Sequence, residues 1–136
     1  MTPAEVVDHI ALLTSLAPLD SAGVERVLGA RLTPSSSSEY FAELTGSAGS
    51  FETVKMRVPL PGATAGPSVT VRLAPETCVS WEAIDGRFGH LFAVPNPHRA
   101  NGPDVYRSQD YDDRGELYLS FDPQTKCLTE VNLHVK

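Results

Sequence analysis

No stretch of this sequence approaches the ~20 consecutive apolar residues of a helical membrane span, so none is expected. The N-terminal 1-MTPAEVVDHIALL-13 lacks the basic start and unbroken apolar run of a signal peptide. A cytoplasmic location is therefore the expectation, and a periplasmic one if a signal segment has been removed. Lysine is scarce, and the chain carries a formal charge of −6, which argues against nucleic acid and anionic lipid as partners. Aromatics make up 7% of the chain and are not interleaved with basic residues, so no base-stacking face is expected. There are two cysteines, Cys78 and Cys127, and their spacing fits no metal or redox motif. Their apolar contexts predict two separately buried thiols. A Cys78–Cys127 bridge is the alternative and would imply an oxidising compartment.

What is present has the length of one globular domain, 136 residues. Thr2-Pro3-Ala4-Glu5 is a capping box, and Val6, Ile10, Leu13 and Ala17 recur on one helical face until Pro18. Asp20 caps a second, short helix that Gly29 stops. The serines of 34-PSSSS-38 read as a linker. Strands are expected over 38–45, 51–60 and 68–74, with 46–50 as a loop; the three form an antiparallel meander with one wet face. A further short helix is expected in 80-SWEAIDGRFG-89, ended by Gly89. Residues 90–110 are rich in Pro, Asn, Gly and His and read as a long loop. Two final strands, 115–121 and 127–135, are joined by an Asp122-Pro123 turn, with Phe121 and Val131 buried together. The fold class is thus α+β: helices packed on an antiparallel sheet. The similarity of 24-VERVLG-29 to 84-IDGRFG-89 makes 1–75 and 76–136 candidate half-repeats of a helix–meander unit.

The segments 20-DSAGVERVLG-29, 80-SWEAIDGRFG-89 and 111-YDDRGELYLSFDPQTKCLTEVNLHV-135 resemble two bacterial families. One is the SmpA/OmlA-type outer-membrane assembly lipoproteins; the other is the β-lactamase inhibitor protein, which repeats a helix–meander unit in tandem. The chain shows no lipidated cysteine of the first family. Its size, acidity and expected fold are also those of small immunity proteins that neutralise bacterial toxins. The resemblance implies a protein that binds and inhibits another protein.

The residues themselves offer little chemistry. In 108-SQDYDDRGELYLSF-121, a calcium loop begun at Asp110 would place Arg114 at the fifth position and Phe121 at the twelfth, where oxygen ligands are required. Asp112, Asp113 and Gly115 read better as a turn. His9, His90, His98 and His134 lack ligand spacing, and no Gly-x-Ser-x-Gly or phosphate-binding loop occurs. The expectation is a non-enzyme that takes no metal and no cofactor. Its partner is expected to be another protein, a toxin or effector with a basic surface, and the chain to be a monomer or a small homo-oligomer. Tyr, Arg and Asn are frequent interface anchors. The expected contact residues are Glu116, Tyr118, Glu130 and His134 on the wet sheet face, with His98, Arg99, Tyr106 and Arg107 from the long loop. The alternatives are a small-molecule-binding protein or enzyme with a cavity between helices and sheet, and an envelope or secretion adaptor.

Overall fold

A computed structural model describes residues 2–95 and 102–136. The chain opens with α1 (Pro3–Thr14), whose capping box is complete: Thr2 Oγ1 accepts from the Glu5 amide at 3.2 Å, and the Glu5 carboxylate accepts from the Thr2 amide at 3.2 Å. The Thr2 amide, and then the Thr2 hydroxyl, which donates to the same carboxylate at 3.0 Å, hold the Glu5 carboxyl below its ordinary pKa. Val6, Val7, Ile10 and Leu13 form its buried stripe. In α2 (Ser21–Leu28) the Asp20 carboxylate accepts from the Gly23 amide at 2.8 Å, and Gly29 ends the helix in the left-handed region at φ 69°.

Eight strands then build one antiparallel sheet. They are β1 (Thr33–Ser37), β2 (Phe41–Ala48), β3 (Phe51–Pro59), β4 (Ser68–Leu73), β5 (Leu91–Ala93), β6 (Asp104–Ser108), β7 (Gly115–Phe121) and β8 (Leu128–Val135), with the four-residue helix α3 (Trp81–Ile84) between β4 and β5. The spatial order is β1-β2-β3-β4-β8-β7-β6-β5. Each half of the chain lays down a four-stranded meander, and the two meet where β4 pairs with β8, Val71 opposite Val131 and Val69 opposite Leu133. The fold is α+β, as its helix and strand patterns predict. Buried side chains from the helices and from one sheet face form a single apolar cluster, including Ile10, Val24, Phe51, Met56, Ile84, Leu119 and Leu133.

Three expectations are corrected. Residues 34–38 are not a linker: Pro34 to Ser37 lie in β1, an edge strand exposed along its whole length. It has no apolar face to betray it, and a Ser/Pro edge is a poor template for further strand pairing. The 46–50 segment is not a loop, because β2 runs on to Ala48 and turns at Gly49-Ser50. Residues 90–110 are not one long loop either, since β5 and β6 pair through Phe92 opposite Arg107 and Ala93 opposite Tyr106. In the final hairpin Phe121 and Val131 are both buried in the core as expected, and a bulge between Ser120 and Phe121 sets Phe121 opposite Leu128 while Val131 opposes Leu119. The bulge shifts the alternation, so Leu128 is buried and Thr129 is half-buried, its hydroxyl donating to the Ser120 carbonyl at 3.1 Å.

The cysteines are also corrected. Cys78 and Cys127 are bonded to each other across 49 residues, and Cys78 is exposed. They meet because the segment before α3 runs beside the start of β8: Ser80 bridges Cys127, and the Leu128 amide donates to the Val79 carbonyl at 2.8 Å. The β7–β8 turn is held by Asp122, whose carboxylate accepts from the Gln124 and Thr125 amides at 2.8 and 3.0 Å. Those donors push its pKa down, the Thr125 amide most.

Candidate functional site

The helices cover one face of the sheet. Strand alternation and register place the polar side chains on the other. A row on that face crosses all eight strands: Phe92, Arg107, Tyr118, Asn132, Thr70, Lys55, Thr45 and Thr33 stand opposite one another in turn. A second row runs Val105, Ser120, Glu130, Arg72, Thr53, and a third Glu116, His134, Ser68, Arg57, Glu43. Glu43, Lys55, Arg57, Arg72, Glu116, Tyr118, Glu130, Asn132 and His134 thus share this face, with Ser120 buried within it.

The rows are tied together. Thr70 Oγ1 donates to Asn132 Oδ1 at 2.7 Å, and Asn132 Nδ2 donates to Glu130 Oε1 at 3.0 Å. Arg72 approaches Glu130 Oε2 at 4.0 Å. Tyr118 donates its hydroxyl to Glu116 Oε2 at 3.0 Å and meets the His134 ring edge-on at 6.4 Å. Arg107 lies over the Tyr118 ring at 6.0 Å while its Nε donates to Asp112 Oδ1 at 3.1 Å. Burial, and then the Glu116 carboxylate, raise the Tyr118 pKa; the Asp112 bond raises that of Arg107. Tyr118 therefore stays a neutral phenol and Arg107 a fixed cation at physiological pH. Both side chains are held in place by these neighbours.

Of the eight expected contact residues, Arg107, Glu116, Tyr118, Glu130 and His134 are together on this face. His98 and Arg99 lie outside the described residues. Tyr106 is not with the others. As the immediate neighbour of Arg107 in a strand it points to the opposite face, where its ring packs 4.5 Å from Trp81 and 5.8 Å from Phe121. Trp81 is half-buried in this aromatic group, 5.5 Å from Phe121. Two residues of the face gain weight from the structure. Phe92 is 40% exposed and heads the long row beside Arg107. Lys55 stands near the sheet centre, across β4 from Asn132.

The acidic turn is a structural joint. Asp112 pairs with Arg107, and Gln109–Tyr111 forms a single turn of 3-10 helix. Arg114 donates to the Thr14 and Leu16 carbonyls at 2.7 and 2.9 Å, which caps the C-terminal end of α1. Gly115 is needed for a different reason than turn flexibility. Its backbone passes so near the His134 carbonyl that a Cβ would collide with it. Adding calcium or a chelator is accordingly expected to leave the melting temperature unchanged, and a calcium-dependent rise of several degrees in a thermal melt would contradict this assignment.

Compared with known proteins, the chain matches no family model, no curated protein and no solved structure.

Proposed function

We propose that this protein is a non-catalytic binding module of the immunity or inhibitor type, which neutralises a bacterial toxin or enzyme by laying the uncovered sheet face across its active site. One observation carries the reading. Among the described residues, one face of the eight-stranded sheet carries no helix and is furnished with interlocked Tyr, Arg, Asn and Glu side chains. Eight strands at ~4.8 Å spacing give a face about 34 Å wide, and strands of this length make it about 20 Å tall. That is close to the ~800 Å² which each partner contributes to a stable protein complex. Such a surface is broad, an extent that suits a protein better than a metabolite.

Charge supports a protein partner as well. The face carries Lys55, Arg57, Arg72 and Arg107 against Glu43, Glu116 and Glu130, whereas the whole chain is at −6. The acidic excess therefore lies off the face, where it acts at long range to steer a basic partner without opposing contact. The interior between helices and sheet is filled by the apolar cluster, which favours the binding module over a carrier or enzyme working from an internal cavity. The Cys78–Cys127 bond supports the periplasm or another oxidising compartment over the cytoplasm.

The test is affinity capture from the native host with immobilised protein, followed by assay of the captured partner's own activity. Wild-type bait is expected to retain a partner and to inhibit it, and Tyr118→Ala bait to retain little. Equal capture by both baits would remove the sheet face from the interaction.

A further inference from the structure

Near the middle of the uncovered face, Thr53, Lys55, Thr70, Arg72 and Glu130 line an open pocket of about 210 Å³. The register makes its two cations diagonal neighbours, since Lys55 opposes Thr70 and Arg72 opposes Thr53. Diagonal neighbours on adjacent strands stand about 7–8 Å apart, so one carboxylate can reach both head groups. Neither cation is saturated. Lys55 is exposed and has no ion-pair partner among the described residues. Arg72 is 63% exposed and reaches Glu130 only at 4.0 Å. Glu130 is itself engaged by Asn132. The pocket thus holds two cations against one carboxylate that already has a donor, in a chain whose overall charge is −6. Local and global charge have opposite sign here, and that contrast narrows the ligand. A polyanion such as nucleic acid would meet repulsion from the rest of the molecule. A metabolite would want the ~300–1,000 Å³ of an ordinary ligand site. A single acidic side chain on a protein surface meets neither objection.

We propose that this pocket receives one carboxylate side chain, of an Asp or Glu, projected from the partner protein. The proposal rests on the binding-module reading and names what that partner must present. The Arg72 fork donates to the incoming carboxylate, the Lys55 ammonium supplies a second charge, and the Thr53 hydroxyl lies at the pocket wall as a further donor. Closing the interface removes water from the pair and strengthens it, and the central position in the sheet places it where binding energy concentrates.

The experiment is carbodiimide cross-linking of the captured complex, which joins a lysine amine to a touching carboxylate as an amide with loss of water. Mass spectrometry is expected to find Lys55 joined to an Asp or Glu of the partner. The variants Lys55→Glu and Arg72→Glu, both at exposed positions, are expected to weaken binding about 30-fold or more at an unchanged melting temperature. Changing the cross-linked partner residue to Lys is expected to restore binding to Lys55→Glu. Three results would overturn the proposal: a Tyr118-dependent complex with no Lys55 cross-link, wild-type affinity in both charge reversals, or a captured partner that nuclease treatment removes. The first two leave the binding-module reading standing. Failure of the wild-type protein to capture any partner overturns both.

Discussion

Replacing Phe121 by Ala is expected to destabilise the protein by about 3–5 kcal/mol, the cost of removing a large buried aromatic side chain. Phe121 is 3% exposed. It meets Trp81 edge-on at 5.5 Å and Tyr106 at 5.8 Å, and it faces Leu128 across the bulged end of the β7–β8 hairpin. Three elements distant in sequence, α3, β6 and β7, contribute those rings. Deleting the buried one leaves a cavity that the two half-buried rings cannot close without moving the elements that carry them. Urea unfolding followed by circular dichroism measures it. A loss under about 1 kcal/mol would show that the strand faces are assigned the wrong way round.

Removing the Cys78–Cys127 bond with a double Cys→Ser change is expected to cost about 4 kcal/mol. The bond closes a loop across 49 residues, and loop-closure entropy for a ring of that size gives this figure, within a usual range of about 2–5 kcal/mol. The loop encloses α3, β5, β6 and β7, so opening it frees much of the second meander in the unfolded ensemble. The native structure should change little, because Val79 and Leu128 remain buried and their backbone bond remains in place. The urea midpoint is therefore expected to fall while the folded-state spectrum stays the same. The wild-type protein in reductant is expected to match the variant. A midpoint unaffected by reductant would mean that the two sulfurs do not form this bond in solution.

How legible the molecule was in its sequence depended on the range of each interaction. Signals confined to one turn of chain read well. The Thr2–Glu5 box, the Asp20 cap and the Gly29 stop are each set by residues within four positions, and each appears in the structure. Alternation read well too where one face is buried, as in Val54-Lys55-Met56-Arg57, and it put Glu116, Tyr118, Glu130 and His134 on one face. It failed where burial does not alternate. β1 is exposed throughout, so its Ser-rich sequence carries no periodic signal. β5 and β6 are short and flank a Pro/Asn/Gly segment whose composition dominated the reading.

The candidate site shows the same limit. Arg107, Glu116, Tyr118, Glu130 and His134 were gathered by local pattern. Grouping Tyr106 with Tyr118 required treating 106 and 107 as loop residues, which can share a surface. As neighbours in β6 they cannot. The Lys55–Arg72–Glu130 pocket was invisible because it depends on β4 pairing with β8, a contact spanning about sixty residues that no local pattern encodes. The disulfide was hidden for the same reason, since it depends on the start of β8 running beside the residues before α3.

The most direct test of the claim that the uncovered sheet face binds a protein is to compare Tyr118→Ala with Tyr106→Ala by surface plasmon resonance against the captured partner, with melting temperatures alongside. The two tyrosines lie close together on adjacent strands but point to opposite faces of the sheet. Tyr118→Ala is expected to weaken binding by about 2 kcal/mol or more, roughly 30-fold in Kd, with little change in stability. Tyr106→Ala is expected to lower the melting temperature through loss of its contacts with Trp81 and Phe121 and to leave Kd near the wild-type value. Wild-type affinity in Tyr118→Ala, or a loss of affinity confined to Tyr106→Ala, would contradict the account and move the interface to the other side of the sheet.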